Sequence, residues 1–78
     1  MEQRIPPQNV EAEQAVLGAM LLSHDAVIVA MEKLQHRDFY RDVHRIIFEA
    51  MEHLHRENKE IDVITLPEEL KRMKKLDD

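Results

Sequence analysis

Five histidines are the side chains of this sequence best suited to hold a metal ion, but their spacing argues against a metal site. His53 and His55 lie two positions apart, which on a helix turns their side chains about 200° away from each other. His44 and His55 share a helix face, yet roughly 16 Å separates them at ~1.5 Å of rise per residue. The sequence contains no HExxH pair. We therefore expect the histidines to be solvated or to cap helices.

The sequence also lacks the residues needed for nucleophilic catalysis and for a phosphate-binding loop. The chain has no cysteine, which excludes disulfides, thiolate ligands and thiol catalysis. Its one glycine, Gly18, falls inside a helical pattern, so a glycine-rich phosphate loop cannot form. Ser23 and Thr65 stand where helices are expected to begin, and helix capping accounts for both. We expect no catalytic, cofactor-binding or metal-binding site in this chain.

The basic cluster KRMKK at residues 71–75 could contact phosphate groups, but it has a simpler explanation. Glu68 and Glu69 precede it in the same predicted helix, so negative charge opens that helix and positive charge closes it, as the helix dipole favours. The formal net charge of -5 does not provide the electrostatic footprint that drives most nucleic-acid binding. We expect little direct nucleic-acid binding.

The elements that would position any site belong to one small helical domain. With 78 residues, of which 4% are aromatic, the chain can build only a thin core. One Gly and three Pro are few for a protein made of strands and tight turns. No segment approaches the ~18 apolar residues of a membrane span, and the N-terminus carries no signal-peptide run. We expect an all-α cytoplasmic protein that does not bind membranes.

The sequence pattern predicts a small bundle of about four helices behind an extended N-terminal arm at residues 1–8. Pro6 and Pro7 hold the arm out of a helix. Asn9 is expected to cap a first helix that runs to about Leu22. The remaining helices are expected at residues 26–34 after Ser23, at residues 41–57, and in the last part of the chain after residue 61.

The start of the fourth helix has two candidates, Asp62 and Thr65. Thr65 and Glu68 have the spacing of a capping box, and Pro67 fits only within a first turn. We therefore favour Thr65 as the cap. The apolar side of this helix consists of Leu66, Leu70, Met73 and Leu76.

The first helix is apolar nearly all round, which is typical of a helix buried between neighbours. Small residues at positions 15, 18 and 19 would let another helix approach closely. One side is predicted to be buried: Ala12, Ala15, Val16, Ala19, Met20 and Leu22. A second stripe opposite it consists of Val10, Leu17 and Leu21. This stripe either packs against the arm or a neighbouring helix, or forms an exposed groove for a partner helix.

The third helix has the clearest pattern, with charged residues along one side and an apolar face on the other. Phe48 flanks that face, and Phe39 and Tyr40 in the preceding turn are expected to fill the core. The residues of the predicted buried face are Val43, Ile46, Ile47, Ala50, Met51 and Leu54.

Four separated blocks of the sequence match a known family. They are RIPPQNVEAEQAVLGAMLL at residues 4–22, DFY at 38–40, IIFEAM at 46–51 and IDVITLPEEL at 61–70, with His44 between the second and third. Together they closely resemble the N-terminal domain of the bacterial replicative DNA helicases, the DnaB family. The resemblance runs through essentially the whole chain in the family's order, which makes it more specific than any single motif.

The resemblance implies that residues 9–78 are a head domain in the collar of a hexameric, ATP-driven helicase. Collar domains assemble with other protomers and recruit primase, and a helicase loader is a further implied partner. ATP and Mg²⁺ are expected only in the motor domain, which this sequence lacks together with the helical hairpin that follows the head. The 78-residue chain by itself is expected to be monomeric.

Partner contacts are expected near the start of the first helix and along its second apolar stripe. The candidate residues are Glu11, Val10, Leu17 and Leu21. The alternative function is that of a small acidic helical module that regulates other proteins or binds DNA.

Overall fold

The computed structural model describes residues 9–77, without the side chains of residues 75–77. No strand occurs in this range, so the prediction of an all-α fold with about four helices is confirmed. The predicted arm at residues 1–8 lies outside the described residues. The elements are α1 (Val10–Leu22), α2 (His24–Lys33), a short 3-10 helix (His36–Asp38), α3 (Asp42–Arg56) and α4 (Thr65–Asp77).

The first two helices begin at the predicted caps. The Oδ1 atom of Asn9 accepts a hydrogen bond from the Ala12 N–H at 2.9 Å. Ser23 serves two helices at once: its N–H donates to the Ala19 carbonyl at 2.9 Å, and its Oγ accepts from the Ala26 N–H at 3.3 Å. A single residue therefore ends α1 and caps α2.

The C-terminus of α3 closes in a left-handed cap at Asn58, whose φ is 60°. The Asn58 N–H donates to the His55 carbonyl at 3.0 Å, and the Lys59 N–H donates to the Leu54 carbonyl at 2.9 Å. These two bonds form a Schellman motif, which satisfies carbonyls that have no partner within the helix. The next segment then turns back toward α4.

The cap of α4 is Asp62, and the prediction of Thr65 is wrong. The Oδ1 atom of Asp62 accepts from the N–H groups of Ile64 and Thr65, both at 2.8 Å. Thr65 Oγ1 in turn accepts from the Asp62 N–H at 3.0 Å. Thr65 therefore takes the reciprocal position of a capping box, three residues inside the cap. Pro67 is the third residue of the range Thr65–Asp77 and lies five residues after the cap.

The core lies where α1 and α2, α1 and α3, and α3 and α4 pack against one another. Phe39 and Phe48 are its largest members, and their ring centroids lie 4.9 Å apart with the planes tilted by 35°. Tyr40, which was expected to fill the core, is 51% exposed. The buried hydrophobic residues are Leu17, Met20, Val27, Ala30, Leu34, Phe39, Phe48, Ala50, Met51, Leu54 and Leu66.

Ala50, Met51 and Leu54 on the predicted face of α3 are buried, but the N-terminal part of the buried face is rotated from the predicted one. Val43 and Ile46 are each 48% exposed, whereas His44 and Phe48 point inward and are almost fully buried. The physical reason is a carboxylate on α1, Glu13, which is completely buried and draws His44 toward it. Satisfying that charge takes precedence over the burial of two aliphatic side chains.

The buried face of α1 also differs from the prediction. Leu17 and Met20 are buried with Glu13, while Ala15 and Ala19 are exposed and Leu22 is 88% exposed. A Cβ placed on Gly18 would meet no atom within 4 Å, so no helix of the described part of the chain packs closely against Gly18. The prediction that this side is buried is confirmed for Met20 and wrong for Ala15, Ala19 and Leu22. Ala12 and Val16 are half-buried against the core.

Candidate interaction surface and the contacts that position it

Glu13 is the most elaborately bonded side chain of the described residues, although it sits in a helix that is otherwise mostly apolar. Its Oε2 accepts from the Tyr40 N–H at 2.6 Å, and its Oε1 accepts from the Arg41 N–H at 3.4 Å. Oε1 also lies 2.6 Å from Nδ1 of His44. The carboxylate therefore fixes the start of α3 against the middle of α1.

The environment of Glu13 keeps its carboxylate ionised. Burial raises the pKa of Glu13, but the hydrogen bonds from the Tyr40 and Arg41 backbone and from His44 lower it by more. The pKa of Glu13 therefore lies below the ordinary value for a glutamate. An ionised carboxylate can only accept, so Nδ1 of His44 carries the hydrogen of their shared bond.

The arrangement around His44 serves structure rather than catalysis. A histidine oriented by a carboxylate can act as a general base only if a reacting group lies within reach. Within residues 9–77, the only hydrogen bond of the His44 side chain is the one to Glu13. Both side chains are buried, so the pair joins two helices and is closed to solvent.

A second buried glutamate, Glu69, joins α4 to α3. Its Oε2 lies 3.2 Å from Nδ1 of His53, and its Oε1 accepts from Nη2 of Arg72 at 2.7 Å. Burial raises the pKa of Glu69, but the bonds from Arg72 and His53 more than offset this, so the pKa lies below its ordinary value. Arg72 also lies 3.7 Å from Glu57, and both contacts favour its charged form.

The short 3-10 helix is tied to α3 by a third pair of the same kind. Nδ1 of His36 lies 2.9 Å from Oε1 of Glu52, at a half-exposed position. The prediction that the histidines are solvated or form caps is therefore wrong for His36, His44 and His53. The signal that could have identified one of these pairs was Glu13, a charge inside an apolar helix that needs a buried partner. Among residues 9–77, no group of three metal-binding side chains is placed to hold a metal ion.

An exposed groove lies between α1 and α2. It has a volume of about 460 Å³, and its wall is mostly apolar. Val29 is 51% exposed at this groove, with Asp25 and Lys33 on either side of it along α2. The lining residues are Val16, Ala19, Met20, Asp25, Ala26, Val29, Ala30, Lys33 and Leu34.

The four predicted contact residues do not form one exposed surface. Glu11 is exposed at the start of α1, and Val10 beside it is half-buried. Leu17 lies in the core with 6% of its surface exposed, which fits the alternative that this stripe packs inside the domain. Leu21 is half-buried and lines a second depression of about 600 Å³, between the α1–α2 corner and the chain that follows α3. Their role in partner contacts remains a prediction.

The basic residues of α4 are only partly free to meet phosphate groups. Arg72 is engaged by Glu57 and Glu69, while Lys71 and Lys74 are exposed. None of the helices at positions 9–77 is both long and apolar enough to cross a membrane.

Comparison with known proteins identifies the family. Residues 5–78 match the model of the DnaB-like helicase N-terminal domain family, which leaves only four residues of the chain outside the match. The chain belongs to this family.

Relatives and a solved structure agree with this assignment. The chain is 46% identical over 74 residues to the replicative DNA helicase DnaB of Rhodothermus marinus, covering 95% of this chain and 8% of that protein. It is 43% identical over 76 residues to replicative DNA helicase DnaB of Geobacillus stearothermophilus, covering 97% of this chain and 17% of the relative. The crystal structure of the N-terminal domain of DnaB helicase from Mycobacterium tuberculosis superposes with a TM-score of 0.81 at 42% identity, over 88% of this chain and 48% of that one.

The chain thus spans less than a fifth of the length of these two DnaB relatives. All of the matched sequence falls in the DnaB N-terminal domain, so the ATPase motor is not part of these 78 residues and the chain is non-catalytic. Its buried glutamates are accordingly structural groups of a DnaB-like N-terminal domain, which directs the search for function to its surface.

Proposed function

We propose that this chain is the collar domain of a replicative DNA helicase and that it works through contacts with other proteins. Its partners are other protomers of a helicase hexamer and primase, with a helicase loader as a further partner, in the cytoplasm. The observation that carries this proposal is the family match over residues 5–78. ATP and Mg²⁺ would act in the motor of the longer helicase.

The charge distribution supports a protein partner rather than DNA. The formal net charge is -5, so the net electrostatic field of the chain disfavours a nucleic acid. Arg72, in the middle of the basic cluster, already has two carboxylate neighbours. The exposed apolar side chains Val29, Val43 and Ile46 are better suited to a protein interface.

The proposal is tested by measuring binding between the helicase that contains this domain and the helicase-binding domain of primase from the same organism. Isothermal titration of the two should give saturable binding. The variant Glu11→Lys should weaken it by tenfold or more if the start of α1 contacts primase, and Glu68→Lys, an exposed charge on α4, is the matched control. Unchanged binding in Glu11→Lys would remove that residue, and no binding at all would contradict the primase contact.

A DNA titration tests the alternative that the domain is a small DNA-binding module. A collar domain of this charge should show no affinity for duplex DNA that depends on salt. A true DNA-binding module would bind and would lose affinity steeply as the salt concentration rises, because it releases counterions from the phosphates.

A further inference from the structure

Three exposed residues of α2 form a ridge, which we call the α2 ridge: Asp25, Val29 and Lys33. They are spaced by four positions, so their side chains lie one above the other on the same helix face. All three line the groove between α1 and α2. The ridge therefore presents an apolar residue between a negative charge and a positive charge.

The two charges of the α2 ridge have no ion-pair partner among the described residues. The salt bridges of this part of the chain involve other groups. Asp25 lies in the first turn of α2 and Lys33 in the last, where the helix dipole favours each of them. The helix dipole therefore stabilises both charges at these positions, and both remain free to contact another molecule.

The order of charges along the α2 ridge is complementary to itself. Val29 is four residues from Asp25 and four residues from Lys33. If a second α2 approaches in the antiparallel direction, each Asp25 faces the Lys33 of the other copy and the two Val29 side chains meet on the two-fold axis. Such an interface uses the same patch on both copies, as two-fold assemblies require. A parallel approach would instead place Asp25 against Asp25.

We propose that the α2 ridge is a docking surface for a second copy of this chain, in an antiparallel two-fold contact centred on Val29. The inference deepens the proposed collar function, on which it rests, because it names the surface through which two collar domains meet. The short side chains of Ala19 and Ala26 in the same groove leave room for the facing helix.

The expected strength of this contact follows from its size. A helix of ten residues such as α2 is about 15 Å long, and one face of it is smaller than the ~800 Å² per partner of a standard interface. The contact is therefore weak between free chains and is strengthened where neighbouring copies are held in one assembly, at a high effective concentration. A free chain that is monomeric in dilute solution is compatible with it.

Disulfide trapping tests the contact in the 78-residue chain, whose sequence has no cysteine to interfere. The variant Val29→Cys places one thiol at the expected axis. Oxidised glutathione converts two such thiols into one intermolecular disulfide and is itself reduced to two molecules of glutathione. Val43→Cys on α3 is the matched control, because Val43 is 48% exposed and Val29 is 51% exposed.

We expect Val29→Cys to form the disulfide dimer at least tenfold faster than Val43→Cys, followed on a non-reducing gel at the same protein concentration. Equal rates would overturn the proposal. Circular dichroism on the reduced proteins shows that both variants keep their helices, which makes the comparison a measure of the contact itself.

Charge exchange tests the antiparallel arrangement in the Val29→Cys background. D25K alone and K33D alone should each slow the trapping at least fivefold, because like charges then face each other in the homodimer. A mixture of the two proteins should restore the rate through heterodimers, and the double variant D25K/K33D should restore it by itself. Single variants that trap as fast as the parent would overturn the two-fold pairing.

The outcome is separable from that of the primase experiment. Preferential trapping at Val29 in the 78-residue chain, together with no primase binding by the helicase that contains this domain, would contradict the primase contact alone. Normal primase binding without preferential trapping at Val29 would contradict the α2 ridge alone.

Discussion

Nδ1 of His44 lies 2.6 Å from Oε1 of Glu13, and this bond joins the buried face of α3 to α1. Both side chains are buried, and the Tyr40 and Arg41 backbone N–H groups complete the coordination of the carboxylate. The domain therefore holds a charge in its interior that is compensated by groups 27 to 31 residues away in the sequence. Its stability depends on these partners remaining together.

Removal of the buried carboxylate should be strongly destabilising. Glu13→Ala leaves the Tyr40 N–H and the His44 ring without their acceptor, and hydrogen bonds to charged groups contribute about 1.5–3 kcal/mol each. We expect the free energy of unfolding in urea to fall by about 3 kcal/mol. The control is Glu11→Ala, two positions away and exposed, which should change it by less than about 0.5 kcal/mol. Equal urea midpoints for the two variants would contradict the structural role of Glu13.

Stability should fall in acid because the pKa values of Glu13 and Glu69 are lowered in the folded chain. A carboxyl group of this kind stabilises the fold fully above its unfolded pKa, about 4.3 for glutamate. The contribution is lost as the pH falls from there through the lower folded pKa, since both states then bind the proton. Urea unfolding measured between about pH 3 and pH 7 should show this loss.

The variant Glu69→Gln isolates one share of that acid sensitivity. It should be less stable than the parent near neutral pH and should lose less stability in acid, because one of the two carboxylates no longer titrates. The exposed neighbour Glu68→Gln should follow the parent. Identical pH profiles for Glu69→Gln and the parent would show that Glu69 does not contribute.

The reciprocal hydrogen bonds at the cap of α4 should make the effects of substituting Asp62 and Thr65 on the free energy of unfolding non-additive. Asp62→Ala removes the acceptor for two backbone N–H groups and should lower the free energy of unfolding by about 1 kcal/mol, while Asp62→Asn should nearly preserve it. Thr65→Ala removes the returning bond. Because the two side chains share one motif, the double variant should lose less than the sum of the single ones. Strict additivity of the denaturation energies would mean that the two side chains act independently.

Substitution of the left-handed residue at the end of α3 by glycine and by alanine should affect stability differently. Asn58 has a φ of 60°, a conformation that costs a residue with a Cβ about 1–2 kcal/mol and that asparagine tolerates better than most. Asn58→Ala should lower the thermal midpoint, whereas Asn58→Gly should hold or raise it. If alanine proved as stable as glycine, the strain assigned to this position would be absent.

The sequence predicts the helix boundaries well because their causes are local. Asn9 and Ser23 act on N–H groups three residues away, so a short stretch of sequence contains the whole interaction. The sequence favours Thr65 over Asp62 as the cap of α4, although both have capping side chains at compatible spacing. Only the direction of the hydrogen bonds decides between them.

The buried faces were harder to predict because their causes are distant in the sequence. The periodicity of α3 predicts that Val43 and Ile46 are buried. It contains no information about the carboxylate on α1 that bonds to His44. The groove between α1 and α2 depends on how the two helices pack against each other, which the periodicity of one helix does not show. The small side of α1 was assigned to a neighbouring helix of the chain, whereas no Cβ contact would form at Gly18 within the described residues.

Ser23 closes α1 with its backbone and opens α2 with its side chain, so the corner between the two helices has no residue to spare. One inserted or deleted residue there would turn all of α2 by about 100° around its own axis. Val29 would then leave the groove, and Val27 and Ala30 would leave the core. Substitutions change the side chains that line the groove. A change of chain length at this corner would instead change which face of α2 lines it, so a different groove would form.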